Sequence, residues 1–217
     1  MHGTIPPRTT EIVRMARSKS IPFVPAPGER CVYQIKITLR WSDPAIWRRL
    51  LIPSDLLLPD LHDVIQIVMP WSESHMHQFI HKKVYYQPEQ EDYFGGWGME
   101  TTDYEDITVE DLLQTPKDKM DYEYDFGDGW VHHIVLEKIL PCVENEQMPR
   151  CIGGELNAPP EDCGGIPGYY HMLEVLKKPR SAEAKELKEW LGGNFDPNHF
   201  DLEEVNAALD WDGGELD

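Results

Sequence analysis

A carboxylate and a histidine that could act together lie in the segment YEYDFGDGWVHHIVLE, residues 122–137. Asp125 and His132 flank the dipeptide Asp128-Gly129, which favours a two-residue type I′ turn between antiparallel strands. Counting outward from that turn places Asp125 directly opposite His132. Directly opposed residues have Cβ atoms roughly 4.5 to 5.5 Å apart, within reach of a carboxylate-to-imidazole hydrogen bond.

A carboxylate opposite His132 would orient the imidazole ring and raise its pKa, which suits a general base or a metal ligand. Asp125 and His132 are therefore the candidate catalytic pair. The alternative is that the pair only ties the hairpin together beside Trp130, because structural ion pairs also perturb pKa values. The Asp-Phe-Gly triplet resembles the magnesium-binding triplet of protein kinases, but the chain lacks the kinase catalytic and glycine-rich loops.

Histidines recur at alternate positions in the segment HMHQFIH, residues 75–81. On a strand, His75, His77, Phe79 and His81 would share one face. His75 and His77 could bind one metal as neutral imidazoles, with zinc or another divalent cation as the cofactor. The alternative is that they are ordinary surface or core histidines.

The third group of possible ligands is Glu161, Asp162 and Cys163, in a stretch from Pro141 to Gly168 that is rich in Pro, Gly and Cys and is expected to be a long loop. These side chains could coordinate a cation or present a thiolate. The alternative is a rigid loop in which Asp162 caps backbone amides. The four cysteines are too few and too irregularly spaced for a disulfide framework, so reduced thiols are expected.

The spacing of apolar residues predicts the elements that position these groups. Alternation with period two indicates strands over residues 31–41, 45–53, 75–87, 121–126 and 130–137. Helical spacing indicates a helix over 58–69, on which His62 and Gln66 lie one turn apart, with His62 as a hydrogen-bonded boundary residue. A short helix over 107–113 would begin at Thr108, with Asp111 as its capping partner. Three further helices are predicted over 169–178, 182–193 and 201–210, and in the last of them Asp201 and Glu204 resemble an N-cap and its partner.

These elements predict an α+β fold with a mixed or mainly antiparallel sheet. One helix after the first strand pair gives a β-grasp-like ββαββ core, and the C-terminal helices pack outside it. Residues 1–30 are expected to form a flexible tail, and residues 31–217 a single domain.

The charge of the chain limits its partners. There are 39 acidic and 20 basic residues, for a formal net charge of -19. Such a chain repels a phosphate backbone, which argues against direct nucleic-acid binding. No apolar run approaches the roughly 18 residues that span a bilayer, and the first residues lack the apolar centre of a secretory signal. A cytoplasmic location with no membrane partner is expected.

Five segments of the chain occur in the order seen in a known family: YQIKITLRWSDPAIWRRLLIP, LPDLHDVIQIVMPWSESHMHQF, YDFGDGWVHHIVLE, PPEDCGGIPGYY and FDLEEVN. Through them the chain resembles the pRiA-plasmid ORF-three-like family, also labelled insertion-element passenger proteins of the TnpR type. The resemblance runs from about Tyr33 to Leu209 and implies a single α+β domain. It implies no particular chemistry, because the family is largely without an established activity.

The motif positions of the family fall on Trp47, Arg48, His62, Gln66, Trp71, His75, His77, Asp125, Gly127, Asp128, Trp130, His132, Pro160, Glu161, Asp162 and Cys163. The chain departs from the family pattern where many relatives look like ACPPEDCGG and this chain has NAPPEDCGG. Ala158 thus stands where a thiol often stands. A cysteine-rich zinc site shared by the family would lose a ligand here.

Two functions from different classes fit the residues. The first is a non-enzymatic interaction or ligand-binding module, in which a protein or a small molecule meets an aromatic and acidic surface made of Trp71, Trp97, Trp130 and residues 121–128. The second is a metal-assisted or acid-base hydrolytic enzyme in which Asp125 orients His132. In that enzyme the metal ligands would be His75, His77, Asp162 and Cys163.

Overall fold

The structure is a computed structural model that describes residues 23–26, 28–89, 101–142 and 146–210. In chain order its elements are β1 (Cys31–Leu39), β2 (Trp47–Pro53), α1 (Leu58–Val68), β3 (His77–His81), β4 (Val84–Gln87), β5 (Thr101–Asp103), α2 (Val109–Leu112), β6 (Lys119–Tyr124), β7 (Trp130–Pro141), β8 (Arg150–Glu155), α3 (Gly165–Leu176), α4 (Ala182–Trp190) and α5 (Leu202–Leu209). Over these ranges, no helix combines the length and the apolar character needed to cross a membrane.

All the described strands join one sheet in the order β5-β4-β3-β6-β7-β1-β2-β8. Neighbouring strands are antiparallel except β4 and β5, which are parallel. The α+β class with a mainly antiparallel sheet is therefore confirmed. The ββαββ order is present along the chain. In the sheet, however, β6 and β7 lie between the pair β1–β2 and the pair β3–β4. The four strands of that order are consequently not neighbours in the sheet.

Strand β8 corrects the prediction of a continuous loop from Pro141 to Gly168. It pairs with β2 and forms one end of the sheet. Its sequence, RCIGGE, lacks the alternation that marks a half-buried strand, and Gly154 is needed there because a Cβ would lie 2.4 Å from the Phe200 ring. The amide of Asn206 on α5 bonds both backbone groups of Cys151, at 2.9 and 3.0 Å. The free edge of β8 is thereby partly covered.

One face of the sheet carries the core. It is lined by buried side chains that alternate along the strands, among them Ile35, Ile37, Leu50, Ile52, Phe79, Tyr122, Tyr124, Trp130 and Ile134. Helix α1 contributes Leu58, Leu61 and Ile65 to the same core. Positions on the other sheet face, such as Lys36, Arg49 and Asp121, are half-buried. This division follows from the period-two geometry of strands.

The starts of α1, α2 and α5 agree with the sequence, whereas α3 begins at Gly165, four residues before its predicted start. The backbone N–H of Thr108 donates to Asp111 at 2.9 Å at the start of α2, and Asp201 accepts from the N–H groups of Glu203 and Glu204 at the start of α5. Helix α5 packs on β8 and α1, and α3 packs on α4.

Candidate metal centre

The β6–β7 hairpin has a different register from the one that the Asp128-Gly129 dipeptide predicts. Tyr124 pairs with Trp130 and Tyr122 pairs with His132, so residues 125–129 form a five-residue loop. The prediction that Asp125 stands opposite His132 is therefore wrong by three residues. An odd shift moves a side chain to the other sheet face because the strand period is two.

The new register places His132 in the aromatic core. The residue is fully buried, and its ring packs against Tyr122 at 5.6 Å and edge-on against Trp71 at 5.2 Å. Neither ring nitrogen has a hydrogen-bond partner within the described residues. Burial lowers the pKa of His132 to about 3, although the nearby backbone of Tyr122 and Trp130 acts in the opposite direction. The ring is neutral at neutral pH and out of reach of Asp125 as a catalytic partner.

Asp125 instead meets two of the predicted ligands, His75 and Asp162. One ligand atom from each of these three residues lies within 4.8 Å of the others. His75 Nε2 is 3.3 Å from Asp162 Oδ1 and 3.9 Å from Asp125 Oδ2. That nitrogen is buried and makes no hydrogen bond of good geometry in the described part of the chain. We call this cluster of His75, Asp125 and Asp162 the triad.

The triad has the donor types of a divalent-cation site. Two donors that each lie about 2.1 Å from one ion are separated by roughly 3 to 4 Å, so small side-chain rotations would close the triad around a metal. One imidazole and two carboxylates suit zinc and other first-row divalent ions. Three protein ligands also leave coordination positions open for water or for a bound molecule. Among the described residues, no other group of three or more His, Cys, Asp or Glu residues comes together in this way.

The hairpin loop fixes the position of Asp125. Its φ is 54°, in the left-handed region that aspartate enters more readily than most residues. Oδ1 accepts hydrogen bonds from the backbone N–H groups of Gly127 at 2.9 Å and Asp128 at 3.3 Å, while the Asp125 carbonyl accepts from Gly129 at 2.6 Å. These turn bonds occupy Oδ1 and leave Oδ2 facing His75. The side chain is thus oriented before any ligand arrives.

Glu161 joins the three segments that supply the triad. Its Oε1 accepts from the hydroxyl of Tyr124 at 2.5 Å, at the end of β6. Its Oε2 accepts from the backbone N–H and the hydroxyl of Ser72, at 3.1 and 2.7 Å, in the turn that leads to His75. Glu161 therefore holds the neighbouring Asp162 against both segments, and it acts as a positioning residue.

A second set of contacts holds the loop before α3 on the hairpin. Asp128 accepts a hydrogen bond from the N–H of Gly164 at 3.0 Å. Gly165 lies so close to the hairpin that a Cβ would stand 2.3 Å from the carbonyl oxygen of Asp128, and its φ is 66°. The indole of Trp71 donates to the Pro159 carbonyl at 2.9 Å. Gly165 is therefore required for the close backbone approach of this loop to the hairpin.

The predicted ligand His77 belongs to a different cluster. Its ring stacks on His62, with centroids 3.5 Å apart and an interplanar angle of 6°, and its Nε2 lies 2.7 Å from the Tyr104 hydroxyl. His62 Nδ1 lies 2.7 Å from the Tyr122 hydroxyl, which also accepts from Gln66 at 3.0 Å. Burial lowers the pKa of His62 to about 3 and that of His77 to about 4. These residues form a neutral hydrogen-bonded network in the core.

Cys163 lies outside the triad as well. Burial, with a smaller contribution from the charge of Asp128, raises the pKa of its thiol to about 12. A thiol with so high a pKa is protonated at neutral pH and is a poor nucleophile. Cys163 therefore behaves as an apolar side chain in this loop.

The remaining motif residues support the fold around the site. Trp71 stacks on Tyr124 at 5.1 Å, and Trp130 is fully buried beside it at 5.9 Å. Arg48 is buried at the C-terminal end of α1, where its Nε donates to the Val68 carbonyl at 2.9 Å, and burial lowers its pKa to about 10.

Trp47 lies on the opposite face of the sheet, and its indole donates to Glu155 at 3.0 Å. Trp97, predicted as part of the aromatic surface, lies outside the described residues. Trp71 and Trp130 are both buried in the core, so neither forms an exposed aromatic surface at the site.

Sequence reasoning assigned two of the triad residues to other partners and did not identify the positioning residues. His75 was paired with His77, and Asp125 with His132. The roles of Tyr124 and Ser72 depend on contacts between segments far apart in the chain. The available signal was that His75 and Asp125 lie near the ends of predicted strands and Asp162 lies in a predicted loop, where functional residues are common.

The fold and the triad define an α+β protein with a mainly antiparallel sheet and a candidate cation site between two loops. The chain belongs to the family of plasmid pRiA4b ORF-3-like proteins, whose pattern matches residues 31–204. It is 33% identical, over 82% of its length and 91% of the relative, to the uncharacterized protein y4hQ of Sinorhizobium fredii. The crystal structure of MM3350, a protein of unknown function from Methanosarcina mazei Go1, is similar with a TM-score of 0.73 and 34% identity, over 83% of this chain and 99% of that one.

Proposed function

We propose that this protein is a ligand-binding module whose site is built around one divalent cation, held by His75, Asp125 and Asp162. The observation that carries the proposal is the convergence of two carboxylates, at 3.3 and 3.9 Å, on the His75 Nε2, a solvent-shielded atom that makes no hydrogen bond of good geometry in the described residues. A buried polar atom without a partner costs free energy unless something binds it. A divalent cation would satisfy that nitrogen and offset the two negative charges.

The structure around the triad supports binding without large rearrangement. Asp125 is held by backbone donors on Oδ1, and Glu161 holds the loop of Asp162. Ligands that are oriented in advance lose little conformational entropy when they bind. His132 takes no part in this function because its ring lies in the core.

The test is metal titration of the purified protein after removal of bound metal with a chelator. We expect one Zn²⁺ or Mn²⁺ per chain by calorimetry and by elemental analysis, and a higher melting temperature with metal, since the cation binds the folded state. His75→Ala, Asp125→Asn and Asp162→Asn should each weaken binding by about 100-fold, as expected for loss of one ligand.

Two control variants make the test specific. His199→Ala removes an exposed histidine that is paired with Glu204 at 2.9 Å on another part of the surface, and it should leave metal affinity unchanged. Cys163→Ser removes a ligand that the sequence predicted but that the triad does not contain, and it should also leave affinity unchanged. Equal binding by the wild type and all three triad variants would refute the proposed site.

A further inference from the structure

A groove between α3 and α4 shares one residue with the triad. It has a volume of about 230 Å³ and is lined mainly by apolar side chains, including Met172, Val175, Leu187 and Trp190. Asp162 and Cys163 line the same groove. Asp162 therefore belongs both to the groove and to the triad, where its Oδ1 lies 3.3 Å from His75 Nε2.

The polar groups of the groove lie at its margins. His171 on α3 and Glu183 on α4 are paired across the rim at 3.3 Å, and both are largely exposed. Cys163 is half-buried and lines the groove next to Asp162. Trp190 is half exposed and contributes its indole to the groove lining.

We propose that this groove binds a small organic acid with an apolar body, whose carboxylate completes the coordination of the cation. The inference rests on the proposed cation site. Asp125 and Asp162 would repel a carboxylate when no cation is present, whereas a bound divalent cation neutralises them and attracts it. The apolar body then lies along Met172, Leu187 and Trp190, and burial of that body drives binding.

The size of the groove limits the ligand. Pockets for drug-sized molecules are roughly 300 to 1,000 Å³, so 230 Å³ fits only a small body such as one aromatic ring with a short chain. A few polar groups in a mainly apolar lining are typical of small-molecule sites. The small volume of the groove disfavours a protein partner.

The experiment measures binding of 4-phenylbutyrate and of its neutral amide to the full chain, with Zn²⁺ or Mn²⁺ and with a chelator. We expect the acid to bind only in the presence of the cation, and the amide to bind at least about tenfold more weakly. Trp190→Ala should weaken acid binding about tenfold without changing cation affinity. Trp41→Ala, which removes another exposed tryptophan away from the groove, should change neither.

The outcomes separate this inference from the function on which it rests. Failure to bind the cation would overturn both. Cation binding without any acid binding, acid binding that is equal with chelator, or unchanged acid binding by Trp190→Ala would each overturn the groove proposal alone. Cation-dependent acid binding that Trp190→Ala weakens and Trp41→Ala does not would support it.

Discussion

Tyr122 lies directly opposite His132 in the β6–β7 hairpin, with ring centroids 5.6 Å apart. This pairing puts His132 in the core and leaves Asp125 at the beginning of a five-residue loop. The aspartate is thereby available to the triad, and the histidine is not. One register thus separates two residues that the sequence predicted to be partners.

The first prediction concerns the buried ring of His132. His132→Phe replaces two unpartnered nitrogens with carbon in a ring of similar shape, so we expect the unfolding free energy at pH 7 to stay within about 1 kcal/mol of the wild type or to rise. Metal affinity should not change. Chemical denaturation and metal titration measure the two quantities, and a loss of several kcal/mol would mean that the imidazole has a polar partner after all.

The second prediction concerns acid sensitivity. Burial lowers the pKa values of His62 to about 3 and His77 to about 4, below the ordinary value near 6.5. The unfolded chain therefore binds protons more readily, and these residues reduce the unfolding free energy as pH falls from about 6.5 toward 4. Each contributes a slope that approaches 1.4 kcal/mol per pH unit. Partial desolvation, together with the nearby charges of Glu73 and Asp60, raises the pKa of Asp63 to about 6, which acts in the opposite direction below pH 6.

His62→Gln tests this assignment, because it removes one titrating ring from the core. The pH dependence of the unfolding free energy between about pH 6.5 and 4 should become less steep than in the wild type. His171→Gln, on the exposed surface of α3, is the matched control. An identical pH dependence in His62→Gln and the wild type would contradict the assignment of the acid sensitivity to the buried histidines.

The third prediction concerns the hydrogen bond between Tyr124 and Glu161. A double-mutant cycle with Tyr124→Phe and Glu161→Gln should give a coupling free energy of roughly 1.5 to 3 kcal/mol, because the acceptor is charged and partly buried. Denaturation in the presence of a chelator measures this coupling without the metal. Glu161→Gln should also weaken metal binding by less than the loss of a triad residue, since it positions Asp162 and does not touch the cation.

Additive effects of Tyr124→Phe and Glu161→Gln would show that the bond does not hold the loop on the hairpin. A loss of metal affinity as large as that of Asp162→Asn would show instead that Glu161 is itself a ligand. Denaturation with chelator identifies the first outcome, and metal titration identifies the second.

The fourth prediction uses two glycines with nearly equal φ values. Gly165 has φ 66° and no space for a Cβ against Asp128, whereas Gly192 has φ 68° and nothing within 4 Å. Gly192→Ala should cost about 1 kcal/mol from backbone strain alone. Gly165→Ala adds the clash, so we expect a loss of at least about 2 to 3 kcal/mol, together with weaker metal binding. Equal costs for the two variants would show that the loop moves away from the hairpin freely.

The sequence determined where most helices and strands form and which face of each is apolar. The alternation in β1 and β6, the spacing in α1, and the capping residues Thr108 and Asp201 are local signals, and the structure confirms them. Strand β8 was not predicted because RCIGGE has two glycines and no alternation of apolar and polar residues. Its side chains give no strand signal, and its pairing with β2 holds it in the sheet.

The register of the hairpin depends on two opposing effects, the turn preference of two loop residues and the burial of strand side chains. Asp128-Gly129 is a strong local turn signal, but it would place Trp130, His132, Ile134 and Leu136 on the acidic face of β6. Burying those side chains beside Tyr122 and Tyr124 is worth several kcal/mol, since a single large apolar side chain contributes about 1.5 to 3 kcal/mol. Side-chain burial therefore outweighs the preference of two loop residues.

The triad itself was decided by tertiary structure. The sequence by itself marked His75 and Asp162 as possible ligands and Asp125 as a possible catalytic carboxylate, through their residue types. Only packing could bring them within 4.8 Å, because they come from the turn before β3, the end of β6 and the loop before α3. The physical reason is that the bonds that join those segments, from Tyr124 and Ser72 to Glu161 and from Gly164 to Asp128, connect residues 36 to 89 positions apart.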